Sequence, residues 1–186
     1  MGLREVLKFP DKRLQRVSKP VREITDEIRR LASDMIEVMY DEPGIGLAAP
    51  QVGEAVRLAV VDTDWTEPDA SRNPLVLVNP EIVSREGTLV WTEGCLSVPD
   101  FTSDVERAAR VTLRALDLEG REIVEEAEGL RAVCFQPELD HLDGILFIDR
   151  ISRLKRSLYV QRRRKALRRQ PDDAAEPDRE RDGIAL

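Results

Sequence analysis

At 186 residues, with 41% apolar and 35% charged side chains, the chain suits one soluble globular domain with a sizeable core, which excludes a disordered protein. It has no apolar run of 18 residues and no signal-peptide pattern, so no membrane partner is expected and the cytoplasm is. Two cysteines, Cys95 and Cys134, exclude a disulfide scaffold, and the net charge of −7 hides a basic segment, 150–169, with ten Lys or Arg and no acid, following a body of 17 basic and 30 acidic residues.

The first 22 residues, with Pro10, Pro20 and scattered apolar positions, read as an extended arm. Ile24, Ile28, Leu31, Met35, Val38 and Met39 recur at near-helical spacing, which predicts a helix from about Thr25, as N-cap, to Tyr40, stopped by Pro43 and Gly44. The stretch Gly44-Ile45-Gly46-Leu47-Ala48-Ala49-Pro50-Gln51 is small and glycine-rich, so its backbone can run close to a ligand, yet it is neither a Walker loop nor a dinucleotide fingerprint. Strands are expected at 57–63, 75–79 and 87–91, with 64–74 as a surface loop. Val111, Leu113 and Ala115 alternate with polar residues, and Asp117-Leu118-Glu119-Gly120 turns the chain into a partner strand around Ile123. A buried helix follows at 130–143, then a basic, largely exposed helix beyond Arg150, and residues 170–186 read as a disordered tail. Strands grouped ahead of a central helix, without βαβ alternation, make the fold class α+β in a single domain, 1–169.

The chemistry concentrates in Cys134-Phe135-Gln136-Pro137-Glu138-Leu139-Asp140-His141. Glu138 and His141, three apart on a helix, project from one face and set a carboxylate base beside a metal-binding imidazole. A metal helix of this kind needs a second imidazole four residues before His141, and that position holds Pro137. His141 is the only histidine in the chain.

Three stretches in order, Gly44 to Gln51, Glu93-Gly94-Cys95-Leu96-Ser97 and Gln136 to His141, resemble the three motifs of the peptide deformylases. The likeness covers residues 1 to about 165 and departs within the motifs only at Pro137. It implies an α+β fold with antiparallel or mixed sheets around the central helix, and removal of the formyl group from N-formylmethionine on nascent chains by a metal-bound water. It implies Cys95 and His141 as ligands of Fe²⁺, or of Zn²⁺ or a similar ion, and Glu138 as general base or acid. Gln51 and the backbone N–H of Leu96 would stabilise the oxyanion, Gly46 would align the peptide, and Ile45, Leu130 and Cys134 would line the methionine pocket. The resemblance also raises the expectation, first drawn from charge, that residues 150–169 contact the ribosome or its RNA; no DNA partner is expected.

Pro137 supplies no lone pair, leaving one protein ligand fewer than the usual three of a catalytic zinc-type site. Inside a helix it also costs about 3 kcal/mol, unless the helix begins there. Cys134 lies about 10.5 Å along the helix axis from His141, too far to replace the ring, and Asp140 and Asp143 point elsewhere. Two readings follow: a deformylase with strongly reduced activity and weakened metal occupancy, or an inactive relative that binds formylated N-termini or the ribosome.

Overall fold

The computed structural model describes residues 4–168, apart from 66, 68 and 69, so the expected tail at 170–186 lies outside the described residues. Its first helix, α1 (Asp26–Asp41), buries Leu31, Met35, Val38 and Met39 on one side. Asp26 and Glu27 in its first turn complement the positive end of the helix dipole. Thr25 is the N-cap residue, but its side chain makes no capping hydrogen bond. At the far end Gly44 N–H donates to Met39 O at 2.9 Å, closing the helix where Pro43 and Gly44 predict. The N-terminal arm is less extended than its prolines suggest, because Asp11 caps a 3₁₀ turn at Lys12–Gln15.

Seven strands follow: β1 (Gly46–Ala48), β2 (Leu58–Val61), β3 (Leu75–Glu86), β4 (Leu89–Cys95), β5 (Val98–Arg107), β6 (Arg110–Leu116) and β7 (Glu122–Glu128). They form an antiparallel five-stranded sheet, β1-β2-β3-β6-β7, and a separate β4–β5 hairpin. The central helix α2 (Gly129–Leu142) packs on β1, β2, β3, β6 and β7. It is buried along most of its length, and α1 covers β1 and β2 from its own side. The fold is the expected α+β arrangement around a central helix. Basic helix α3 (Arg153–Arg168) is largely exposed and anchored by Tyr159, which meets Phe101 at 4.8 Å between ring centroids; Phe101 in turn stacks on Phe147 at 5.8 Å.

The strand boundaries depart from the sequence expectations in instructive ways. The strand expected at 75–79 runs on to Glu86, because a bulge absorbs Asn79 and Pro80. Asn79 takes φ +52°, and its side-chain amide both donates to and accepts from Val21 at 2.8 Å, pinning the arm to the bulge. Strand β5 has no counterpart in the sequence reading, since Val98–Arg107 carries four charged side chains and its inward row ends on an arginine. The 57–63 strand shortens to 58–61, and the 87–91 strand sits at 89–95. The hairpin at β6–β7 turns as expected, with Asp117 accepting from the backbone N–H of Glu119 and Arg121.

Helix α2 ends in a turn that demands glycine. Gly144 has φ +74°, and a Cβ built there meets the carbonyl oxygen of Gln15 at 2.6 Å, a backbone atom with nowhere to go. Gly144→Ala is expected to cost about 2–3 kcal/mol, from left-handed strain plus the clash, read as a lowered urea midpoint with unchanged slope.

Candidate active site

Each of three local features delivers one wall of the site. Strand β1 ends in a 3₁₀ turn, Ala49–Val52, in which the Gln51 side-chain oxygen accepts from Ala48 N–H at 2.8 Å. That bond fixes the amide, so its nitrogen faces Ser97 Oγ at 3.3 Å and Cys95 Sγ at 3.7 Å. A register shift between Glu93 and Cys95 ends β4 and turns the thiol inward, where Ser97 N–H donates to it at 3.4 Å. From α2, His141 brings Nε2 to 3.2 Å from Cys95 Sγ.

Around one small cavity of about 20 Å³, room for a single water, the fold gathers Gly46, Gln51, Cys95, Leu96, Glu138 and His141. Pro137 forms part of the same wall. Cys134 and Ile45 adjoin it: the Cys134 thiol donates to Ile45 O at 3.5 Å, and a Cβ on Gly46 would meet Glu138 Oε1 at 2.5 Å and Cys134 Sγ at 3.1 Å. Leu130 packs against the main core in the first turn of α2 and does not line this cavity. Gly44, Gly94 and Phe147 line it without having been singled out from sequence, Phe147 because its apolar run Leu146 to Ile148 reads as core.

Burial dominates the electrostatics. Desolvation pushes the Glu138 carboxyl up to about 8; Glu93 and Asp140 add to this, while the Arg107 guanidinium opposes it. It pushes the Cys95 thiol up to about 12, against the lowering effect of the Ser97 N–H, and it lowers His141 to about 4. Glu138 Oε2 and His141 Nδ1 are both buried without a hydrogen-bond partner. A buried polar atom left without a partner on each of two side chains that line one water-sized cavity is the kind of exception that a bound water or ion accounts for.

Pro137 lies inside α2, so the alternative that a helix starts there is excluded. The donors available for a metal are the Cys95 thiol and His141 Nε2. Among the described residues no group of three His, Cys, Asp or Glu is placed to hold an ion. Asp140 is turned away onto Arg107 and Arg150, and Asp143 onto Arg57. The residues present therefore do not fit an ion that needs three protein ligands.

An edge strand with a close-approach glycine, a fixed amide, and a buried carboxyl beside a thiol and an imidazole form an arrangement of the kind a hydrolase uses. The comparisons with known proteins narrow this. The family model for polypeptide deformylase matches residues 3–157. A peptide deformylase of Rhodopseudomonas palustris (strain BisB5) is 51% identical over 170 residues, covering 91% of this chain and 97% of that protein. One from Alkalilimnicola ehrlichii is 54% identical over 168 residues, with 90% and 93% covered. Among solved structures, the peptide deformylase of Legionella pneumophila superposes with a TM-score of 0.82 at 41% identity, covering 91% of this chain and 100% of that one. The Synechococcus elongatus enzyme in complex with actinonin gives 0.79 at 40% identity, with 86% of each covered. The chain belongs to the polypeptide deformylase family, hydrolases that act on N-formylmethionyl nascent chains with a divalent metal. No helix among the described residues is long and apolar enough to cross a membrane.

Proposed function

We propose that this chain is a cytoplasmic peptide deformylase whose hydrolysis of N-formylmethionyl peptides is strongly weakened at Pro137. The observation that carries the reading is the placement of Pro137 in an otherwise intact α2, in the wall shared by Cys95, Glu138 and His141. The family's divalent ion, Fe²⁺ or Zn²⁺, has two protein donors in this chain, Cys95 and His141, so its occupancy is low.

The remaining residues keep their roles. Gly46 on the edge strand β1 leaves its backbone open to pair with the substrate peptide, and Ile45 and Cys134, which adjoin the cavity, support the methionine side chain, whereas Leu130 packs against the core away from it. The fixed amide of Gln51 and the backbone N–H of Leu96 donate to the developing oxyanion, donors of a kind worth about 2.7–4 kcal/mol each. Glu138 holds the proton destined for the leaving amine. An inactive binder has no use for a general acid and a fixed amide, yet both are intact. The exposed cations of α3, within Arg153–Arg168, support contact of the 150–169 segment with ribosomal RNA.

The test is turnover of a formyl-Met peptide by anaerobically purified, Fe²⁺-reconstituted protein beside Pro137→His. A much slower parent supports the reading, and equal rates overturn it. In the Pro137→His background, Gly46→Ala is expected to lower kcat/KM by about 10²-fold with the far-UV spectrum unchanged, because the added methyl displaces the Glu138 carboxyl.

A further inference from the structure

Behind the site, a buried arginine joins the strand that carries the thiol to the helix that carries the imidazole. Arg107, at the end of β5, donates from Nε and Nη2 to both carboxylate oxygens of Glu93 at 2.6 and 2.9 Å. Its remaining arm, Nη1, donates to Asp140 Oδ2 at 2.6 Å. The side chains of Arg107 and Glu93 are 5% and 2% exposed and that of Asp140 11%, so water screens this bridge poorly. Glu93 lies two residues before Cys95, and Asp140 lies between Glu138 and His141 in α2. Few direct bonds otherwise tie this end of β4 to α2: the Cys95–His141 contact is the other side-chain link described between these two elements. Arg150 donates to Asp140 as well, which holds that carboxylate in place from the far side.

We propose that Arg107 is a positioning residue that fixes the separation of Cys95 from Glu138 and His141. The inference rests on the reading of those three side chains as the reacting set. The planar fork is what the position requires: it satisfies one carboxylate in two bonds and reaches a second with the third, which an ammonium point charge cannot do. A purely structural ion cluster would stabilise the fold without setting this distance, so the test must separate the two.

Because the chain has one histidine, a nitrogen-proton correlation spectrum of its imidazole reports His141 without ambiguity. Arg107→Lys is expected to move those signals and to speed iodoacetamide modification of Cys95, located by peptide mass mapping, by about 10-fold as the thiol loosens from its partners. In the Pro137→His background it is expected to lower kcat by about 10–100-fold while KM stays within a few-fold. Arg57→Lys, which alters an ion pair at the end of α2 away from the cavity, serves as control and leaves both probes unchanged. If Arg107→Lys fails to fold, Glu93→Gln keeps the Asp140 arm and is expected to move the same signals. A lowered Tm with His141 signals and Cys95 reactivity as in the parent overturns the proposal and leaves Arg107 a structural ion partner. The two protein probes judge Arg107 even if Pro137→His proves inactive, an outcome that counts against the deformylase reading instead.

Discussion

Pro137→His is expected to raise Fe²⁺ affinity and deformylation together, each by about 10²–10³-fold. The magnitude follows from ligand number. Four-ligand zinc sites bind with about 10–16 kcal/mol, or about 2.5–4 kcal/mol for each ligand, and 1.4 kcal/mol is tenfold. The geometry favours success, because position 137 is one turn before His141 on the same face of α2 and opens on the cavity that Cys95 and His141 line. A second gain is independent of metal. Proline removes the N–H that would reach the carbonyl of residue 133 and crowds the preceding turn, at a cost of up to about 3 kcal/mol. Metal-free Pro137→His is therefore expected to unfold at higher urea than the metal-free parent.

The second large effect belongs to Glu138. In the Pro137→His background, Glu138→Gln is expected to lower kcat by about 10²–10⁴-fold, the span typical of a lost general acid or base, with KM little changed. The amide keeps the shape of the carboxyl and its neighbours Gly46 and Cys134, so lost packing does not account for the fall. Substitution removes a buried carboxyl that is held neutral by desolvation in the metal-free protein, so stability is expected to hold or rise. A rate that survives in Glu138→Gln would remove the carboxyl from the reaction and leave the oxyanion donors as the main contributors.

What could be read from sequence was local. Gln51, Cys95, Glu138 and His141 stand in short motifs whose residue types announce their chemistry, and the fold brings all four to one cavity. The family followed from those motifs, and the α+β class from the grouping of strands ahead of the central helix. The residues that hold the motifs together were not legible. Arg107 and Asp140 are 33 positions apart, and each alone reads as a solvated charge; only the pairing of β5 with β4 and the docking of α2 turn them inward. Strand β5 itself was missed for the same reason, since its inward row ends in a charge that is satisfied by tertiary partners. The bulge at Asn79 was hidden because asparagine before proline ordinarily ends a strand, whereas two bonds to Val21 carry this one through.

Pro137 belongs to both groups. Its lack of a donor atom is plain in the sequence, but whether a helix persists through it depends on the packing of α2 against the sheet. That packing keeps the helix whole and keeps Cys95 and His141 face to face.

The most direct measurement is metal content per chain after anaerobic reconstitution with Fe²⁺ and gel filtration, for the parent and Pro137→His side by side. The account predicts sub-stoichiometric iron in the parent and one ion per chain in Pro137→His. A full complement in the parent, lost on Cys95→Ala, would contradict it by showing that the two donors and a non-protein ligand suffice.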